Sequence, residues 1–151
     1  VVEMQKIAIV AKSQNVVREC EKTSFQGDPE KLRVVLDNLL SNAIKYSPDG
    51  GEVGFRVYHD GPETVFEVTD QGIGIPEEEL PHLFSSFHRA SNVGDIAGTG
   101  LGLAIVRRLS ERLGYTVSLR SRAGRGTVFR VLVPPLPVAA VVVSTVSSLV
   151  V

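Results

Sequence analysis

Gly27-Asp28-Pro29-Glu30-Lys31-Leu32-Arg33-Val34-Val35-Leu36-Asp37-Asn38-Leu39-Leu40-Ser41-Asn42-Ala43-Ile44-Lys45-Tyr46-Ser47-Pro48-Asp49-Gly50-Gly51 reads as one helix between two breakers. Asp28 suits an N-cap and Pro29 the first helical position. The Ser-Pro-Asp-Gly-Gly cluster ends the run. Within it, Leu32, Val35, Leu36, Leu39, Leu40 and Ala43 form one broad apolar stripe. At ~100° per residue, Asn38, Asn42 and Lys45 fall together on a different face. Asparagine is a poor helix former, and a merely solvated face would carry Glu, Lys or Gln. Two amide oxygens one turn apart with a cation below suit a hard divalent ion shared with phosphates. Magnesium needs only one or two protein oxygens for that.

Alternating segments surround this helix. Val1 to Ser13 is helix-compatible, and Asn15 to Cys20 predicts a short strand. After the helix, Val53, Phe55 and Val57 alternate, as do Val65, Glu67 and Thr69 with Phe66 and Val68. Asp60-Gly61-Pro62 between them reads as a hairpin connection. Asp70 to Pro76 is glycine-rich and excludes regular structure. Glu77 to Phe87 has a short helical tendency interrupted by Pro81, and Ala90 to Gly100 is polar and expected to be mobile. A helix over Leu101–Leu113 is expected to end at Gly114. Strands follow over Tyr115–Ser121 and Thr127–Val133, joined by Ala123-Gly124-Arg125-Gly126. Strands in adjacent hairpins with few helices between them predict an α+β fold: a two-layer α/β sandwich, its sheet mixed but mostly antiparallel, about five strands under about three helices on one face.

Length and composition are consistent with that. A chain of 151 residues suits one compact domain. With 43% hydrophobic and 22% charged residues it is neither a disordered tail, a collagen-like fibre nor a coiled coil. A net charge of −1 gives no basic excess pointing to nucleic acid. The charge is uneven: residues 1–99 hold 9 basic and 16 acidic groups, and 100–151 hold 7 arginines and one acid. Two halves that touch and neutralise each other account for this. The single cysteine, Cys20, excludes an internal disulfide and reads as a core residue. The start Val1-Val2-Glu3 shows no secretory pattern and reads as part of a longer protein. Residues 135–151 form an uncharged Pro/Val-rich tail beyond the domain at 1–134. A membrane span needs ~20 apolar residues, and this tail is too short and too polar. A docking strand, a disordered end and an unnatural extension all remain open for it.

Two glycine loops carry further chemistry. Asp70-Gln71-Gly72-Ile73-Gly74-Ile75-Pro76 follows a strand, so its carboxylate is placed to accept a bond from an exocyclic amine such as adenine's. A turn closed by an Asx bond accounts for the same residues. Gly98-Thr99-Gly100-Leu101-Gly102-Leu103 opens a helix, whose free amides bind phosphate. Its spacing fits neither a dinucleotide fold nor a P-loop.

The motifs in this order resemble the ATP-binding catalytic domain of sensor histidine kinases, in the superfamily shared with gyrase-type topoisomerases, the ninety-kilodalton heat-shock chaperones and mismatch-repair ATPases. The N box resembles Asn38 to Ser47, the first glycine box Asp70 to Pro76 and the second Gly98 to Val106. Leu83-Phe84-Ser85-Ser86-Phe87-His88-Arg89 is similar to the phenylalanine box that separates kinases from the other branches. Gly124-Arg125-Gly126-Thr127 is similar to the closing G-x-G-T.

The resemblance implies a Bergerat-type ATP-binding fold with ATP and Mg2+ as cofactors. It implies that Asp70 binds the adenine amine, directly and through a water shared with Thr127. Asn42 would hold magnesium, Asn38 would flank the phosphates, and Lys45 and Tyr46 would contact phosphate or ribose. Arg89 would reach the terminal phosphate, which makes Asn38, Asn42 and Arg89 the implied catalytic set. Gly72, Gly74 and Ile75 of the first box, and Gly98, Thr99, Gly100, Leu101, Gly102 and Leu103 of the second, would complete the nucleotide site. Ala90 to Ala97 would be the ATP lid.

The implied partners are the dimerisation and histidine-phosphotransfer domain of the same protein and a response regulator receiver domain. The implied place is the cytoplasmic side, with any membrane anchor in the longer parent. His59, His82 and His88 lack the sequence context of a phosphoacceptor and read as surface or packing residues. Two alternatives differ in class: a nucleotide-binding regulatory module without transfer, and an anti-sigma-type serine kinase of the same superfamily. The intact motifs weigh against the first and the phenylalanine box against the second.

Overall fold

The computed structural model describes residues 2–25, 27–135 and 144–145. Its elements are α1 (Lys6–Ala11), β1 (Asn15–Cys20), β2 (Ser24–Phe25), α2 (Pro29–Tyr46), β3 (Glu52–Asp60), β4 (Glu63–Asp70), α3 (Gly102–Leu113), β5 (Thr116–Ser121), β6 (Thr127–Val133) and β7 (Ser144–Thr145). Short 3-10 helices cover Val2–Gln5, Glu77–His82 and Ser91–Val93.

Helix α2 is the centre of the helical layer. Asp28 caps it, its carboxylate accepting from Lys31 N at 3.0 Å, and Pro29 opens it. Leu32, Val35, Leu36, Leu39 and Leu40 are fully buried. They meet Val53, Phe55 and Val57 of β3, Phe66 and Val68 of β4, and Val131 of β6 in one core. Truncating one such leucine to alanine typically costs about 2–5 kcal/mol. The far end of α2 is tied down by polar groups. Lys12 Nζ donates to the carbonyls of Ile44 (3.0 Å), Lys45 (3.1 Å) and Ser47, and Gln14 Nε2 donates to Ile44 O at 2.9 Å. These bonds satisfy carbonyls that a helix end leaves unpaired and put a cation at its negative pole.

The main sheet has the order β1-β3-β4-β6-β5. β1 runs parallel to β3 across α2, and the other pairs are antiparallel. The expected mixed, mostly antiparallel five-stranded sheet with about three helices on one face is therefore what forms. Ser144–Thr145, in the tail, pair antiparallel with Ser24–Phe25; the rest of the tail beyond Pro135 lies outside the described residues.

Three local expectations need correction. Val1 to Ser13 is not one helix: a 3-10 turn leads into α1, which ends at Ala11, and Ser13 has φ +50°. Among the described residues of this segment only Val2 is buried, whereas Met4, Ile7 and Val10 are exposed. Cys20 is exposed rather than in the core, because it ends a strand at the sheet edge. The two charged halves meet at one ion pair among the described residues: Arg130 Nε lies 2.7 Å from Glu67 Oε2 on the sheet face away from the helices. Arg56 and the Tyr58 hydroxyl also reach that carboxylate.

Candidate functional site

A cavity of about 470 Å³ opens where the end of α2, the end of β4 and the start of α3 converge. It lies in the size range of small-ligand sites. Asn38, Asn42, Lys45 and Tyr46 line it from α2, and Asp70 from the last position of β4. Gly74 and Ile75 line it from the first glycine loop, Thr127 from β6 and Arg89 from the segment after residue 82. Gly98, Thr99, Gly100, Leu101, Gly102 and Leu103 complete it.

Gly72 is the one nominated residue that does not line the cavity. A Cβ there would lie 2.6 Å from Tyr46 O, and its amide donates to Asp70 Oδ1 at 2.8 Å. Its smallness lets the loop dock on the end of α2, and its amide holds the carboxylate; both the Asx turn and the nucleotide reading use it.

Asp70 is 9% exposed. Burial pushes its carboxyl up to about 6, although the amides of Gly72 and Thr127 pull the other way. It is a buried acceptor at one end of the cavity. Beside it, Thr127 is its cross-strand partner and is also buried.

At the other end the polar groups are unspent. Asn38 Nδ2 donates to Val34 O at 2.8 Å, which leaves Oδ1 facing Gly102, where a Cβ would sit 3.0 Å away. The Asn42 side chain makes no hydrogen bond to the protein among the described residues. Lys45 Nζ lies 4.5 Å from the Tyr46 ring centroid and beside Gly98, where a Cβ would be 2.8 Å from it. The N-cap of α3, Leu101, offers no side-chain bond to the helix, so its first amides are left for a ligand. Amide oxygens, an ammonium and free helix amides form a donor set that fits a magnesium-bound polyphosphate.

The remaining wall is built from turns. Gly100 has φ +71°, and a Cβ there would lie 2.7 Å from the Phe87 carbonyl carbon. Phe87 itself has φ +64°, is exposed, and donates its amide to Gly100 O at 3.0 Å. Glu79 Oε1 accepts from Ser91 N at 3.2 Å, and its Oε2 lies 2.9 Å from His88 Nε2. The bonds from Ser91 and the nearby His88 hold the Glu79 carboxyl below the usual glutamate range. Asn92 Nδ2 donates to Gly74 O at 2.9 Å, and the Arg89 guanidinium to Ile96 O. Arg89 thus lines the cavity while bound to its own loop.

Ala90, Asn92 and Val93 of the expected lid also line the cavity, and sequence reasoning missed several further lining residues: Ser41, Ile73, Leu83, His88, Ile105 and Phe129. His88 was read as a surface or packing residue and stands in the cavity wall. Ser41 was readable, since it lies one position before Asn42 on the same helix. The other histidines stand elsewhere: His59 Nε2 is 2.6 Å from Thr23 Oγ1, and the His82 ring is 6.1 Å from that of His88. Among the described residues no cluster of three His, Cys, Asp or Glu could hold a metal, and no helix is long and apolar enough to cross a membrane.

Residues 27–137 match the model of the histidine kinase-, DNA gyrase B- and HSP90-like ATPase family. The chain is 43% identical over 112 residues to the circadian input-output histidine kinase CikA of Synechococcus elongatus, covering 73% of this chain and 15% of that protein. It is 38% identical over 117 residues to the sensor histidine kinase YkoH of Bacillus subtilis, covering 75% of this chain and 25% of that protein. Among solved structures, the mycobacterial sensor histidine kinase MprB superposes with a TM-score of 0.78 at 30% identity, over 89% of this chain and 93% of that one. Full-length ShkA in complex with AMPPNP superposes with a TM-score of 0.72 at 28% identity, over 91% of this chain and 29% of that one. The chain belongs to this ATPase family, as an ATP-binding domain of the sensor histidine kinase type. It spans a quarter or less of the two curated relatives named.

Proposed function

We propose that this domain binds Mg-ATP in the cavity and presents the γ-phosphoryl group to a histidine on a separate dimerisation domain of the same protein. The imidazole nitrogen of that histidine takes the phosphoryl group and ADP is left. The phosphorylated histidine then serves a response regulator receiver domain. The observation that carries this reading is the polarity of one cavity. A buried carboxylate suited to adenine stands at one end, and unpaired amide oxygens and free helix amides suited to phosphates stand at the other. The structural relative ShkA was solved with AMPPNP, an ATP analogue.

In this reading Asn42 ligates Mg2+, which neutralises phosphate charge, and Asn38 and Lys45 hold the phosphates. Phosphoryl transfer depends mainly on positioning and charge neutralisation, so these binding residues with Arg89 are also the catalytic ones. The working unit is residues 1–134, placed on the cytoplasmic side, with any membrane anchor elsewhere in the parent.

Incubating the chain with γ-labelled ATP and a separately made histidine hairpin of the parent tests this. Label should appear on the hairpin and not on this chain. Binding of ATP without label on the hairpin would favour a regulatory module that switches a partner without transfer.

A further inference from the structure

Ser121, the last residue of β5, was assigned no role by motif or spacing, yet it joins three parts of the site. Its Oγ accepts from Ile75 N at 2.9 Å, in the first glycine loop. It also lies 2.9 Å from Gly126 O and 3.0 Å from Thr127 Oγ1. A serine hydroxyl has one proton to give. A carbonyl oxygen can only accept, so the bond to Gly126 takes that proton. The contact with Thr127 then requires Thr127 to be the donor. That spends the Thr127 proton inside the protein and leaves the lone pairs of its Oγ1 for the cavity, which Thr127 lines beside Asp70.

We propose that Ser121 is a specificity-determining positioning residue: by consuming the Thr127 proton it makes the base-binding end of the cavity accept-only, selecting a 6-amino purine over a 6-oxo purine. The inference rests on the ATP reading above. An exocyclic amine at position 6 donates to acceptors; a carbonyl there meets only oxygen lone pairs. A Thr127 hydroxyl released from Ser121 rotates and donates to that carbonyl, so discrimination falls. A structural role for Ser121 would instead weaken both nucleotides alike.

The test is equilibrium binding of ATP and GTP to the 151-residue chain and its variants. Ser121→Ala should lower the ATP-to-GTP affinity ratio by about two- to tenfold, the range of one neutral hydrogen bond. Ser121→Thr, which keeps the hydroxyl, should restore the ratio. Thr127→Val should lower the ratio similarly, and the double variant no further. Equal losses for both nucleotides in Ser121→Ala overturn the inference, as does full additivity in the double variant. If Ser121→Ala fails to fold, a ratio unmoved by Thr127→Val overturns it and a lowered ratio supports it. A chain that binds neither nucleotide sinks the ATP reading and this inference together; an unsubstituted chain that prefers ATP, with an unmoved ratio in Ser121→Ala, sinks the inference alone.

Discussion

One wall of the cavity rises from α2 and β4, and the opposite wall from the turns between residues 77 and 101. On the first wall, Asn38, Asn42 and Lys45 are carried by a helix whose leucines are fully buried, and Asp70 ends a strand paired on both sides. The second wall has little buried apolar area and is held by side chains on backbone groups: Glu79 on Ser91, Asn92 on Gly74, Arg89 on Ile96. Segments held this way open at low free-energy cost, while core elements open only with the whole domain. In the proposed function the first wall would set what binds, and the second would close over it.

The comparison breaks most visibly at Asp70. Asp70→Asn should cost about tenfold or more in ATP affinity, because a charge-assisted bond is worth ~1.5–3 kcal/mol. The same substitution should stabilise the free protein at neutral pH. The folded carboxyl titrates at about 6, above its unfolded value, so the folded state binds more protons between about pH 4 and pH 6. Stability from this group is present below the unfolded value and lost as pH rises through about 6. Two pKa units correspond to roughly 2–3 kcal/mol, which asparagine would recover at pH 7.5 but not at pH 4. Thermal unfolding at both pH values, with calorimetry on ATP, checks this. In the unsubstituted chain, ATP affinity should fall as pH drops through about 6. A variant that loses affinity and stability together at pH 7.5 would make Asp70 structural.

A second break targets the seam between the walls. Gly74 has φ +63°, and a Cβ there would lie 2.0 Å from Arg122 O; Gly50 has φ +71° and open space. Gly50→Ala carries only the left-handed backbone penalty, about 1–2 kcal/mol. Gly74→Ala adds a clash with the main chain and should cost about 2 kcal/mol more, the middle of the range for overpacking, with loss of ATP binding. Urea unfolding of the two variants side by side separates strain from clash. Equal costs would mean that the β5–β6 turn yields freely.

Much of the first wall was legible in the sequence, because helical spacing alone puts Asn38, Asn42 and Lys45 on one face and the leucines on another. Asp28, Pro29 and the Gly114 C-cap marked element ends through local chemistry that structure repeats. Gly72 was legible as a member of the first glycine box, but not that the group crowding it is Tyr46 O. The exposure of Cys20 was hidden, since alternation marks a strand without saying that it lies at an edge. Glu79, Asn92 and Ser121 were invisible for one reason: each acts on a backbone group far along the chain, and no period or motif encodes such a bond.

A sharper version of the comparison lies at Asn42, a first-wall residue whose side chain makes no hydrogen bond to the protein among the described residues. Asn42→Ala should not destabilise the free protein, and helix propensity should raise its stability by about 0.5 kcal/mol. It should weaken ADP binding about tenfold with magnesium and little without it. Calorimetry in both conditions decides. Equal losses in the two conditions would remove Asn42 from the metal.

The smallest expected effect concerns the second wall, at Glu79. Ser91 opens a 3-10 turn after Ala90, whose ψ of 147° is extended, so proline is tolerated at position 91 without displacing the chain. Ser91→Pro thus deletes the donor that Glu79 accepts, and Glu79→Ala deletes the acceptor. Each should weaken ATP about two- to threefold and leave the unfolding midpoint in place, because the bond holds a wall and not the core. The double variant should be no weaker than either alone. Val93 and Ile96 are the only large apolar residues between Ala90 and Ala97, and ordering costs ~1–2 kcal/mol per residue. Amide exchange over residues 90–97 should therefore be fast without nucleotide and slower with ATP. Protection there equal to that of α3 in the free protein would mean that both walls are held by packing, and the contrast between them would fall.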